Sequence, residues 1–200
     1  MAKTIEFYFD VGSPTAYLAH KKLQQIKQQH NCKVTYTPVL LGGLFKATGN
    51  SSPVTVPAKG RYMLEEDLPR FSALYSAPLK ANPFFPINTL NLMRGAVYAI
   101  DKDVFDDYID AIFNGIWVEQ KNMGDLTCVT QTLQQAGLNA EDIIAGTQLP
   151  EVKSQLIENT EAAVKRGLFG VPTFFVDNQM YFGQDRLNFV EIAVANETSE

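Results

Sequence analysis

Three short segments of this 200-residue sequence place reactive groups at the ends of helices and strands. The first is Asp10-Val11-Gly12-Ser13-Pro14-Thr15-Ala16. Ser13 stands as a helix N-cap and Pro14 as the first helical residue, because proline lacks the N–H that would be unsatisfied there. A hydroxyl in that place can donate to an external thiolate, and the helix dipole helps to hold the negative charge. A serine before a proline is also an ordinary cap. The second segment is Phe169-Gly170-Val171-Pro172-Thr173. A cis Val171–Pro172 bond facing Ser13 would turn the Val171 N–H and C=O outward to pair with an extended peptide; a trans proline ending a loop is the alternative. The third is Phe182-Gly183-Gln184-Asp185-Arg186-Leu187. Free N–H groups at Gln184 and Asp185 can grip a carboxylate, and the Asp185 side chain an ammonium. Otherwise Asp185 is a first-turn acid favoured by the dipole, and Arg186 is solvated surface.

These groups need elements to position them. Ile5 to Asp10 reads as a strand rich in Phe and Tyr, and from Pro14 the residues Ala16, Ala19, Leu23 and Ile26 recur at helical spacing. Lys33 to Leu41 reads as a second strand, completing a βαβ unit, and Gly42 to Pro57 as mostly loop. From Lys59 to Arg166 the apolar periods are helical, as in the stripe of Val104, Phe105, Tyr108, Ile109, Ile112, Phe113 and Ile116, whose rings belong to the core. Thr173 to Val176, a turn at Asp177-Asn178, and Met180 to Phe182 read as a hairpin, followed by a last helix with Leu187, Val190 and Val194. A βαβ half and a ββα half form one thioredoxin-like α/β sheet, contributed by residues 1–45 and 168–200, with residues 46–167 as an all-helical insertion. A cleft between two such parts is a common ligand site. In a thioredoxin fold the slot after the first strand holds a redox C-x-x-C, where the helix N-terminus lowers a thiol's pKa. Here it reads Ser13-Pro14-Thr15-Ala16, so no disulfide is shuttled there.

Composition narrows the partners. A net charge of -5 and a pI near 5.1 argue against a nucleic-acid binder, which needs a basic face. No signal peptide is visible at the N-terminus and no apolar run approaches the ~20 residues that span a membrane. Cys32 and Cys128 form no C-x-x-C and read as reduced thiols, so the expected compartment is the cytoplasm. His20 and His30, with no nearby acid or cysteine cluster in the sequence, make no metal site. Lys46 and Lys59 are either solvated loop charges or, in a cleft, attractors of an anionic substrate such as a carboxylate.

Taken together, the three segments describe a seat for a small peptide with a thiol in its middle and an amino acid at one end, which is glutathione. The motifs then become recognisable. Phe7-Tyr8-Phe9-Asp10 with Ser13-Pro14 and Tyr17-Leu18-Ala19 resembles the opening of 2-hydroxychromene-2-carboxylate isomerases. Gly42-Gly43, Phe45-Lys46-Ala47-Thr48-Gly49-Asn50, Pro57-Ala58-Lys59 and Tyr62-Met63 resemble that family and the kappa-class glutathione transferases, as do Asn82-Pro83-Phe84-Phe85-Pro86-Ile87-Asn88 and the two motifs around Pro172 and Gly183. The resemblance runs from Ile5 to about Val190. It implies a DsbA-like fold with a helical insertion, a homodimer, and bound glutathione. It further implies that Ser13 hydrogen-bonds the glutathione sulfur, that Val171 beside Pro172 pairs with its backbone, and that Gln184 and Asp185 beside Phe182 and Gly183, with Asn50, hold its γ-glutamyl end. Lys46 and Asn88 match residues that contact the substrate in isomerases of the family. Phe182 stands where these isomerases often have Trp, and Ser52 to Val56 reads closer to the kappa class. The implied activity is a glutathione-dependent isomerisation of an aromatic carboxylate; the alternative is a transferase or peroxidase.

Overall fold

The computed structural model describes residues 3–195. Strand β1 (Thr4–Phe9) occupies an inner position of a four-stranded sheet of order β2-β1-β3-β4, with β2 at Lys33–Pro38, β3 at Thr173–Val176 and β4 at Gln179–Phe182. β2 runs parallel to β1, which is possible because helix α1 (Pro14–His30) supplies the crossover. β3 and β4 run antiparallel, and the residues joining them, Asp177 and Asn178, both have positive φ (49° and 65°), as a two-residue hairpin turn demands.

Side chains alternate across the sheet with period two. Phe7 stacks on Phe174 at 5.2 Å between ring centroids and faces the main core with Ile5, Phe9, Leu18 and Leu23. Tyr8 and Phe175 point to the opposite face, into a smaller cluster with Val39, Leu44, Ala163, Leu168 and Val171. Both inner strands are therefore covered on both faces.

Between β2 and β3 lie α2 (Leu41–Thr48), α3 (Pro57–Arg61), α4 (Leu68–Leu74), α5 (Leu90–Asp101), α6 (Phe105–Trp117), α7 (Leu126–Gln135), α8 (Ala140–Gly146) and α9 (Pro150–Lys165), and among the described residues no strand. A 3-10 turn at Pro53–Thr55 precedes α3, and a π-helical turn at Tyr62–Asp67 joins α3 to α4. Tyr108 and Phe113 of the α6 stripe are buried in the main core, as expected. After β4, a 3-10 turn at Gln184–Arg186 leads into α10 (Leu187–Ala195).

Two sequence expectations need correction. The strand expected to reach Leu41 stops at Pro38, and the loop expected from Gly42 is interrupted by α2. Two glycines weaken the helix signal there, but the helix is held by tertiary contacts: Gly43 lies so close to α9 that an added Cβ would come within 3.1 Å of Thr160 Cγ2. A boundary between residues 45 and 46 would therefore cut through α2. Nor are the histidines without acids. His20 Nε2 lies 3.0 Å from Asp110, and His30 Nε2 3.1 Å from Glu191, partners far away in the chain.

Candidate functional site

The turn between β1 and α1 is fixed from several directions. Asp10 is 2 % exposed, and its carboxylate accepts from Gly12 N at 2.9 Å and Leu41 N at 2.9 Å. The first bond closes an Asx turn. The second caps α2, whose own N-cap residue, Leu40, has no side-chain acceptor. Burial pushes the Asp10 carboxyl above the ordinary aspartate value, opposed by its hydrogen bonds from Leu41, Gly12 and Thr89. Val11 is held by the helical block: Trp117 Nε1 donates to its carbonyl at 2.9 Å, and its N–H points to Met93 Sδ at 3.3 Å. Thr89, just before α5, leaves no room for a side chain at Gly12, where a Cβ would meet Thr89 Cγ2 at 2.8 Å.

Ser13 has extended backbone angles (φ −95°, ψ 116°) and caps α1, accepting from Ala16 N at 3.2 Å. Its Oγ lies 2.8 Å from Thr15 Oγ1, so one hydroxyl can donate to the other while the second keeps its proton for another acceptor. The side chain is thus a cap and also one member of a two-hydroxyl pair at the positive end of a 17-residue helix.

The Val171–Pro172 bond is cis. Tyr8 faces Thr173 in the sheet register, which sets Pro172 beside the exit of β1, the strand that leads to Ser13. The Val171 N–H and C=O have no backbone partner among the described residues. Pro172 O accepts from Gly183 N at 2.9 Å, which joins the second segment to the third. Gly183 has φ 98°, and a Cβ there would lie 2.5 Å from Asp185 Oδ1; only glycine suits this turn. Gln184 is buried, and its carbonyl accepts from Tyr75 OH at 2.7 Å. Asp185 is exposed and paired with its neighbour Arg186.

Asn50, past the end of α2, donates from Nδ2 to Phe169 O at 2.8 Å. Phe169 in turn packs on Phe182, with ring centroids 4.5 Å apart. The structure therefore brings together Asn50, Val171, Pro172, Phe182 and Gly183, and sets Gln184 and Asp185 immediately after them. Lys46 lies exposed on α2, one turn before Asn50. Asn88 is exposed at the start of α5, beside the Thr89 that touches Gly12, and accepts from Leu90 N at 3.1 Å. Lys59 sits exposed on α3, and no hydrogen bond or ion pair joins it to the other candidates among the described residues.

Asp10, Thr89, Tyr75, Trp117 and Met93 support the site without having been singled out by the reading of reactive groups. Asp10 had a local signal, since Asp-x-Gly is an Asx-turn pattern. The others act from 77 to 109 residues away in sequence and left none.

The family model for the DSBA-like thioredoxin domain matches residues 4–195. The sequence is 32% identical over 193 residues to a 2-hydroxychromene-2-carboxylate isomerase of Sphingobium xenophagum, covering 96% of this chain and 97% of that protein. It is 30% identical over 202 residues to glutathione S-transferase kappa 1 of Rattus norvegicus, covering 94% of this chain and 89% of the relative. A solved structure of 2-hydroxychromene-2-carboxylate isomerase superposes with a TM-score of 0.84 at 28% identity, over 95% of this chain and 93% of the other.

Proposed function

The chain belongs to the DSBA-like thioredoxin domain family, and from that premise we propose that it is a glutathione-dependent isomerase acting on an aromatic carboxylate. The observation that carries this reading is the serine, not cysteine, that caps α1 close to Val171, whose backbone N–H and C=O have no partner among the described residues.

Extended glutathione pairs with the Val171 backbone as an added strand would. The N–H groups of Gln184 and Asp185 would hold its γ-glutamyl carboxylate, the Asp185 carboxylate would hold its ammonium in place of Arg186, and Asn50 would close that end. This sets the thiol at Ser13. The free thiol, with a pKa near ~8.5, is mostly protonated at neutral pH. A hydroxyl donor and the α1 N-terminus both favour the thiolate. When bound, glutathione would supply a thiolate able to add reversibly to an unsaturated carbon of the substrate, and Ser13 with the α1 N-terminus would stabilise that thiolate both before it adds and as it leaves. Lys46 of α2 and Asn88 before α5 would contact the substrate, and Lys59 of α3 would attract its negative charge. Glutathione is then a cofactor that is neither oxidised nor consumed.

A turnover assay tests this. With an aromatic carboxylate that isomerises about a double bond, free glutathione should be recovered in full after many turnovers. A stable glutathione conjugate accumulating in step with substrate loss would replace the isomerase with a transferase, which the similarity to kappa-class enzymes makes the second reading.

A further inference from the structure

A cavity of about 530 Å³ opens between α2, α5 and α9. This is within the size range of sites for small organic ligands. Its walls are mostly apolar, formed by Leu40, Leu90, Leu156, Ile157 and Val164, and Ile157 is 57% exposed, a large apolar side chain with little covering it.

Set among these apolar walls are four cations, Lys46 from α2, Arg94 from α5, and Lys153 and Lys165 from α9, against one carboxylate, Glu161. Lys46 and Lys165 are exposed at the rim, as is Glu161, whereas Arg94 and Lys153 are half-buried. None of the four cations forms an ion pair among the described residues. The Nε of Arg94 is buried without a hydrogen-bond partner. A buried donor left unpaired costs free energy, so its presence calls for an acceptor.

The cavity adjoins the Ser13 turn. Leu40 and Leu90 line it, and their neighbours Leu41 and Thr89 touch Asp10 and Gly12 directly. Leu90 and Arg94 are four residues apart and share one face of α5, so Arg94 stands one helical turn along α5 from the residue that forms the cavity's near wall.

We propose that this cavity holds the apolar body of an aromatic monocarboxylate and that Arg94, with Lys153 of α9, receives its carboxylate. The inference rests on the functional reading above and locates the second substrate. A planar guanidinium pairs with a carboxylate through two parallel hydrogen bonds, and Lys153 adds a second cation from another helix. The apolar walls favour an aromatic body over a compact, fully hydrated anion such as inorganic phosphate.

Calorimetric titration of the full chain with 1-naphthoate, in the absence of glutathione, tests the assignment. We expect binding, and about tenfold or more weaker binding of 1-naphthamide, which has the same shape without the charge. Arg94→Met and Lys153→Met should each weaken 1-naphthoate by about tenfold, with the circular dichroism spectrum and the pH midpoint of bound glutathione thiolate unchanged. If Arg94→Met does not fold, Lys153→Met carries the comparison. No binding, equal binding of the acid and the amide, or folded variants with full affinity would overturn the proposal. So would a dimer that dissociates on Ile157→Glu while 1-naphthoate fails to bind, which would assign the face to a second copy of the chain. If glutathione gives no shifted thiolate midpoint while 1-naphthoate still binds through Arg94, the glutathione reading fails and the carboxylate site stands.

Discussion

At the scale of single residues, Ser13 caps α1, and the proposed function gives it a second, separable duty. As a cap it satisfies Ala16 N, and losing that bond costs about 1 kcal/mol. As the proposed thiolate donor it would contribute a charge-assisted hydrogen bond of ~1.5–3 kcal/mol, equivalent to about one to two pKa units on the bound thiol. Ser13→Ala should therefore raise the midpoint of thiolate absorbance in the glutathione complex by that amount and lower turnover at neutral pH. An unchanged midpoint with unchanged turnover would leave Ser13 as a cap alone. The neighbouring Thr15 hydroxyl, 2.8 Å away, makes a second test useful: Thr15→Val should move the midpoint in the same direction and by less, because it removes only the group that orients Ser13.

At the scale of elements, the seat is a junction between parts that are remote in the chain. One carboxylate, Asp10, closes the turn before α1 and also caps α2, so it fixes the angle between the helix that presents Ser13 and the helix that presents Lys46. Asp10→Ala leaves the N–H groups of Gly12 and Leu41 without acceptors, which should cost about 2 kcal/mol or more in urea unfolding. It should also speed amide hydrogen exchange in α2 more than in α6. Uniform acceleration of both helices would show that Asp10 supports the fold only globally. Much of this level was legible in the sequence. Strand–helix–strand at the start and hairpin–helix at the end gave the sheet, because their apolar periods and the Asp177-Asn178 turn are local signals. α2 was hidden because what stabilises it is not local: a cap from β1's exit, and a glycine that admits α9. Among the candidate residues, Asn50 is tied to Phe169 and Gly183 to Pro172, in segments that the motifs had already singled out, whereas the anchoring of Val11 by Trp117 and Met93 depends on contacts over 80 residues that no window contains.

At the scale of the molecule, stability should depend on pH through the network at His20. Burial holds the His20 imidazole below the ordinary histidine value, even though Asp110 pulls it the other way. The hydrogen bond from His20, aided by Lys21, holds the Asp110 carboxyl below the usual carboxylate range. The Arg166 hydrogen bonds hold Glu6 down as well. The unfolded chain therefore binds more protons than the native one at each of these groups, so stability falls as the pH drops. The histidine contribution begins near pH ~6.5 and the carboxylate contributions follow below about pH 5. Urea midpoints should fall between pH 7 and pH 5.5 in the parent chain and change less in His20→Gln; parallel profiles would remove His20 from the account. Asp10 acts with the opposite sign, its raised pKa favouring the native state at lower pH, and it is common to both proteins in that comparison. The sheet order has a further consequence for synthesis of the chain. β1 is made first but pairs on one side with β3, more than 160 residues later. On the ribosome, its backbone on that side stays an open edge while the whole helical block emerges, and neither the cis-proline nor Gly183 yet exists to complete the thiol seat. The emerging chain can therefore place Ser13 at the start of α1 long before the rest of the proposed glutathione seat is present. Binding competence should appear only after the final hairpin has been translated.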